Sequence, residues 1–180
     1  ALVIDPNALG RQTVPVTDEL TPDATPGQSR SLAPMDTAGL AYRVVRHGRV
    51  SSLAEAALAR GVAAADVVKS IVVRRSDHDY LVVLVPGDRT IAWPKLRALL
   101  DVSRLSMPDA TGALEATGYE RGTITPFGMT TAWPVIADTR LRGREISLGA
   151  GGHGVAAIVD ADQALAVLGA LVSDVTDPEA

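Results

Sequence analysis

Two β-branched runs constrain this chain more than any other feature. Val67-Val68-Lys69-Ser70-Ile71-Val72-Val73-Arg74 and Tyr80-Leu81-Val82-Val83-Leu84-Val85 are separated by the polar Arg75-Ser76-Asp77-His78-Asp79. Runs of this length and composition on either side of a polar turn predict a β-hairpin, buried on at least one face. Aromatic residues make up only 3% of the chain, so the core around the hairpin must be built from Val, Leu, Ile and Ala.

Helix signals flank the hairpin. Ser51 and Ser52 precede Leu53–Arg60 and Gly61 follows, with Ser52 and Glu55 at capping-box spacing and Gly61 as the stop. Pro94 suits the first turn of a helix over Lys95–Leu100. Pro108–Thr117 reads as a second short helix ended by Gly118, and Asp160–Val172 as a closing helix. Short strands are expected at Ala41–Arg46, Thr90–Ala92, Val135–Ala137, Glu145–Leu148 and Val155–Val159. The pattern predicts an α+β fold with a mixed, largely antiparallel, barrel-like sheet and inserted helices, rather than a doubly wound parallel sheet.

Residues 1–35 differ from the rest. Pro6, Pro15, Pro22, Pro26 and Pro34 lie among Thr, Asp, Gly and Ser, which excludes a long helix and predicts an extended or partly disordered N-terminal extension. Thr13-Val14-Pro15-Val16 could pair at a sheet edge. The compact domain is expected over residues 36–175, with 176–180 as a tail.

Several function classes are excluded or disfavoured. The chain has no cysteine, so disulfides, thiolate metal sites and cysteine nucleophiles are ruled out. A net charge of −4 disfavours broad nucleic-acid binding but allows a local basic patch, for which Arg43, Arg46, Arg49, Arg74 and Arg75 are candidates. No apolar run approaches the roughly 20 residues of a membrane span, and the N-terminus has no signal-like pattern, so a cytoplasmic location is expected. His47, His78 and His153 have no metal-ligand spacing, and no metal is predicted. There is no Gly-x-Ser-x-Gly elbow, and no Ser-His-Asp triad can be assembled.

Three features carry candidate chemistry. Lys69 stands in an apolar run, with apolar neighbours Val67, Ile71 and Val73 on its own face. An ammonium there can hold a phosphate or carbonyl oxygen, or act as a base if desolvation lowers its pKa; the alternative is a solvent-facing lysine. Gly122-Thr123-Ile124-Thr125-Pro126-Phe127-Gly128 brackets the only Phe with two glycines and a proline, so its backbone N–H groups can approach a ligand. It lacks the Lys-Ser/Thr ending of a phosphate-binding P-loop, and a purely structural turn is the alternative. Gly149-Ala150-Gly151-Gly152-His153-Gly154 precedes a strand rather than a helix, so it is not a dinucleotide fingerprint. It can form an anion-binding nest or a flexible hairpin turn. The glycines expose His153, and His47 ends a strand where it can line a pocket mouth.

Taken in order, these stretches resemble the YbaK/prolyl-tRNA synthetase-associated editing domain family over about Leu40–Leu171. The resemblance lies in Val44-Val45-Arg46-His47 with the Ser51–Gly61 helix, in Val67–Val73, in Trp93-Pro94-Lys95-Leu96, in Thr117–Gly128, in Pro134–Asp138 and in Ile146–Gly151. It implies hydrolysis of the ester of mischarged aminoacyl-tRNA, typically tRNA for proline carrying alanine or cysteine, by a free-standing protein acting in trans. It implies a catalytic set of Lys69, Gly122 and Pro126, with Lys69 at the tRNA 3′ end and the Gly-x-x-x-Pro backbone orienting the substrate. His47, Thr125, Phe127, Gly128, Ser147, Gly149, Gly151 and His153 are the expected substrate-binding residues. No cofactor is implied, because the vicinal 2′-hydroxyl of the terminal adenosine takes the place of a catalytic side chain. The implied partner is the 3′ end of aminoacyl-tRNA, with a homodimer and association with a synthetase as further expectations. His153 stands where cysteine-specific members often carry Arg or Lys, and Ser70 where Thr is common, so the edited amino acid is left open. A tRNA- or amino-acid-binding module of the same fold, without hydrolysis, is the alternative reading.

Overall fold

The structure is a computed structural model and describes residues 24–180. The sheet-edge pairing expected for Thr13–Val16 lies outside the described residues. In chain order the elements are α1 (Pro26–Thr37), β1 (Tyr42–Arg46), α2 (Leu53–Arg60), β2 (Lys69–Ser76), β3 (Asp79–Val85), β4 (Arg89–Ile91), α3 (Trp93–Leu100), α4 (Ala110–Thr117), β5 (Val135–Asp138), β6 (Glu145–Gly149), β7 (Val155–Asp160), α5 (Ala161–Leu168), β8 (Leu171–Ser173) and β9 (Thr176–Pro178).

The hairpin forms as the sequence predicts. β2 and β3 pair antiparallel from Lys69↔Val85 to Arg74↔Tyr80, with a register shift between Arg74 and Ser76 before the turn. Both faces of the hairpin are covered. Val72, Val82 and Leu84 enter one core with Val135, Ile146, Leu148 and Leu165. Val73, Leu81, Val83 and Val85 enter a second core with Ile91, Leu96, Ile136 and Val175. Two-sided burial accounts for runs that are apolar throughout rather than alternating.

The pairing is mixed, and among the described residues the strands form separate sheets rather than a closed barrel. Three sheets form among the described residues, ordered β1-β7-β6, β2-β3-β5-β8 and β4-β9. In the second, β3 pairs with β5 and β5 with β8 in parallel. The chain between β3 and β5 carries α3 and α4, and so is long enough for the crossover that parallel pairing requires. The first two sheets meet at a single isolated bridge, Val67↔Ser147.

Four local expectations change. The first concerns Pro26 and Pro34, which do not prevent a helix. Pro26 sits in the first turn of α1, where a missing N–H costs nothing, and Thr25 caps that turn by accepting from Gln28 N–H. Pro34 falls one turn before the end, so only the bond to the Arg30 carbonyl is lost. Burial of Ser31 and Met35 supplies the compensating contacts. The second change is at the closing helix, which stops at Leu168. Gly169 takes a left-handed conformation, and Leu171–Ser173 becomes a strand. Third, within the expected tail over 176–180, residues 176–178 form a strand that pairs with β4. Fourth, the box at α2 is split. Ser52 Oγ accepts from Glu55 N–H, while the Glu55 carboxylate accepts from the N–H and hydroxyl of Ser51 rather than from Ser52.

Candidate functional site

Two clefts meet beside the first half of β2. The first, of about 480 Å³, has Val67–Val72 along one wall and Met107, Pro108, Asp109, Ala110 and Ala113 along another. Arg121, Gly122 and Ile124 close it from the loop side, and Gly149 and Arg60 complete it. The second, of about 580 Å³, is lined by His47, Gly48, Arg49, Val50, Arg60, Gly122, His153 and Gly154. Arg60 and Gly122 line both.

Backbone geometry explains two of these glycines. Gly122 has φ 89°, a left-handed conformation that side chains disfavour, and it turns the loop into the junction. At Gly149 a Cβ would lie 2.9 Å from the Ile124 carbonyl oxygen, so β6 and the loop approach closely only because that side chain is absent.

Arg60 ends α2, and Gly61 then turns the chain back toward β2. Because Val68 N–H donates to the Ser147 carbonyl, the start of β2 is tied to β6, and Arg60 is brought over that strand. Its Nε donates to His47 Nε2 at 3.2 Å and its Nη1 to Ser147 Oγ at 3.2 Å. The first bond assigns the imidazole proton to Nδ1, which lies 2.8 Å from the Gly48 carbonyl oxygen. Desolvation lowers the Arg60 pKa from the ordinary arginine value.

Lys69 and Ser70 leave β2 on opposite faces. The Lys69 ammonium donates to the Arg89 carbonyl and lies 3.7 Å from the Glu179 carboxylate, so it is turned toward β4 and the C-terminal strand. The residue still contributes to the wall of the first cleft. Ser70 also lines that cleft, and its hydroxyl is buried with no hydrogen-bond partner among the described residues.

The expected site residues therefore separate into groups. Lys69, Gly122 and Gly149 line the first cleft, and His47, His153 and Gly122 the second. Ser147 is fully buried and reaches the junction only through Arg60. Thr125, Pro126, Phe127, Gly128 and Gly151 line neither cleft. Thr125, Pro126 and Phe127 are buried behind the loop, the Phe127 carbonyl accepting from Tyr119 Oη at 2.6 Å. The Gly128 carbonyl accepts from Arg30 Nε at 2.9 Å, and Gly151 packs against Gly27 of α1.

The five arginines suggested as a basic patch do not gather. Arg74 and Arg75 pair with Asp77 and Asp79 at the hairpin tip, and Arg43 lies 3.8 Å from Glu145. Arg46 donates to Gln28 at 3.0 Å, and Arg49 is the member that lines a cleft. The cations at the clefts are instead Arg49, Arg60, Arg121 and Lys69. In the sequence Arg60 shows only as a cation in the last turn of a helix, a common way to complement the helix dipole. Among the described residues no three His, Asp or Glu side chains form a group that could hold a metal, and no helix is long and apolar enough to cross a membrane.

Comparison with known proteins gives the clefts a context. The profile of the aminoacyl-tRNA editing domain matches residues 47–166. The chain is 35% identical over 82 residues to the proline–tRNA ligase of Lactobacillus gasseri, which covers 46% of this chain and 14% of that enzyme. It is 31% identical over 99 residues to the proline–tRNA ligase of Thermosipho melanesiensis, covering 55% of this chain and 17% of that enzyme. The chain thus spans less than a fifth of the length of these curated relatives. The crystal structure of a candidate trans-editing enzyme for prolyl tRNA synthetase matches with a TM-score of 0.78 at 25% identity, over 86% of this chain and 99% of that one.

Proposed function

The chain belongs to the aminoacyl-tRNA editing domain family, and from that premise we propose that it hydrolyses, in trans, the ester of tRNA mischarged with a small amino acid. The observation that carries the proposal is the meeting of two unlike clefts at Arg60 and Gly122. The first has walls of Val67, Val68, Ile71, Val72 and Ala113, with one free hydroxyl at Ser70. Such walls suit a small aliphatic aminoacyl group. The second carries His47, Arg49, Arg60 and His153, a set that suits the sugar and phosphate of a terminal nucleotide. The ester bond then lies at the junction.

An aminoacyl ester is already activated, and a held water suffices as nucleophile. Water adds to the ester carbonyl and gives up a proton, the carbonyl oxygen takes the negative charge, and collapse breaks the bond to the ribose 3′-oxygen, which takes up the proton that the water released. The vicinal 2′-hydroxyl of the substrate positions that water. Backbone at Gly122 orients the carbonyl, Pro126 stiffens the loop behind it, and the cations at the junction favour the developing oxyanion. Tethering of the Lys69 ammonium to Arg89 and Glu179 supports a field and positioning role rather than that of a general base. The proline–tRNA ligase relatives support tRNA for proline as the substrate; alanine or cysteine as the edited group, and action in the cytoplasm beside the synthetase, complete the proposal.

Incubation with Ala-, Cys- and Ser-charged tRNAs tests the proposal. At least one is expected to lose its amino acid faster than in buffer alone, and Lys69→Ala is expected to slow that loss. If no charged tRNA is turned over, the reading fails. The tethered Lys69 also favours a second reading, a module that binds charged tRNA without hydrolysing it. Saturable binding of charged tRNA with the ester intact would support that one.

A further inference from the structure

We propose that Arg60, oriented by His47 and Ser147, is the residue that grips the phosphate 5′ to the substrate's terminal nucleotide; the assignment rests on the deacylase reading of the same site. A ribose separates that phosphate from the 3′-ester. An anion-binding group must therefore stand beside the aminoacyl pocket rather than inside it. Arg60 lies at that place, since its side chain lines both clefts.

The guanidinium is also prepared for an anion. Its two protein acceptors, His47 Nε2 and Ser147 Oγ, are both neutral and each lie 3.2 Å away. They fix the plane of the fork without cancelling its charge. No carboxylate pairs with Arg60 among the described residues, whereas Arg43, Arg74, Arg75, Arg140, Arg142 and Arg144 each have one. Nη2 has no protein partner among the described residues. A partly buried cation without a counter-ion carries a desolvation cost that a bound phosphate offsets. Both N–H groups of Nη2 and the second N–H of Nη1 remain to meet phosphate oxygens.

Arg49, Arg121 and Lys69 are the other cations at the clefts, and each lines one cleft only; the surroundings of Lys69 argue against it further. Its ammonium already donates to the Arg89 carbonyl and faces the Glu179 carboxylate at 3.7 Å. A phosphate there would meet like charge from Glu179.

Binding of 5′-AMP and of adenosine to the full chain, measured by calorimetry, separates these assignments. Wild type is expected to bind AMP about tenfold more tightly than adenosine, the size of one charge-assisted contact. Arg60→Met should bring the two ligands within about twofold, while Lys69→Met keeps the preference. Arg60→Lys, which keeps the charge and the fold but loses the fork, should fall between them. His47→Ala should lower the preference for AMP over adenosine about threefold, a change in ratio that a merely structural role does not produce. The proposal is overturned if wild type shows no preference, if the Arg60 variants retain it in full, or if Lys69→Met abolishes it. Deacylation is measured separately. An Arg60-dependent AMP preference in a protein that hydrolyses no charged tRNA would sink the deacylase reading and keep the phosphate site.

Discussion

Arg60 and Ser147 lie 87 positions apart in the chain, yet the guanidinium Nη1 donates to the serine hydroxyl across 3.2 Å. This bond ties the end of α2 to the central strand position of β6, and it sets the junction of the two clefts. The hydroxyl acts on the site through Arg60, since Ser147 is itself fully buried. Ser147→Ala is therefore expected to lower deacylation and AMP binding together, at a stability cost of about 1 kcal/mol from the lost bond. Urea unfolding beside a turnover assay reads both.

Ser70 should show the opposite relation between stability and activity. Its hydroxyl is buried without a partner at the cleft wall. Ser70→Ala removes an unsatisfied polar group and is expected to stabilise the protein, by up to about 1 kcal/mol, while reducing turnover. A stability loss above that size would show that the hydroxyl is satisfied in the free protein.

Gly149→Ala tests the close approach behind the first cleft. The added methyl carbon would stand 2.9 Å from the Ile124 carbonyl, so β6 or the loop must move. Overpacking of this kind costs roughly 1–3 kcal/mol. The melting temperature should drop, and KM for charged tRNA should rise. A structure of the variant with the loop unmoved would refute the explanation.

Asp138 gives the stability a pH dependence. Burial raises its pKa, but hydrogen bonds from Arg140, Thr176 and Val175 outweigh that and leave it lowered overall. The folded pKa thus lies below the unfolded one of about 3.9. The ion's contribution is complete above that value and disappears as pH falls through the folded pKa. Asp138→Asn should cost about 2 kcal/mol at neutral pH, the worth of hydrogen bonds to a charged group, and flatten the acid limb of the stability curve. Denaturant titrations between neutral and acid pH check the slope.

Met35→Ala tests whether α1 belongs to the domain. Met35 is fully buried in the larger core, alongside Val72, Phe127 and Leu148. The truncation is expected to cost about 2–5 kcal/mol. A change below 1 kcal/mol, on the order of a typical surface effect, would mean that the helix is only loosely attached.

Much of the molecule is legible in its sequence. The Val-rich runs around His78 fixed a hairpin because no other arrangement buries two such apolar stretches with a polar turn between them. Ser52 and Gly61 marked the ends of α2 because caps are local chemistry. The motifs from Val44 to Gly151 pointed to the editing domain family, and the family profile covers residues 47–166. Less legible was α1, because Pro34 signals against a helix unless the compensating burial of Ser31 and Met35 is known. The parallel pairing of β8 was hidden as well, since Leu171–Ser173 continues an apolar pattern that a longer helix would also satisfy.

By itself, then, the sequence determined the elements whose signals lie within a few residues of each other: the hairpin, the helix caps, the glycine-bracketed loop and the family those motifs identify. Only the tertiary structure decided which charges are placed to meet an anion. Lys69 stood out on its strand, but packing turned its ammonium to Arg89 and Glu179. Arg60 looked like an ordinary helix-end cation, but the return of the chain over β6 set it between His47 and Ser147 without a carboxylate. The reason is physical. A charge acts according to its neighbours within a few ångströms, and at Arg60 those neighbours come from strands distant in the chain.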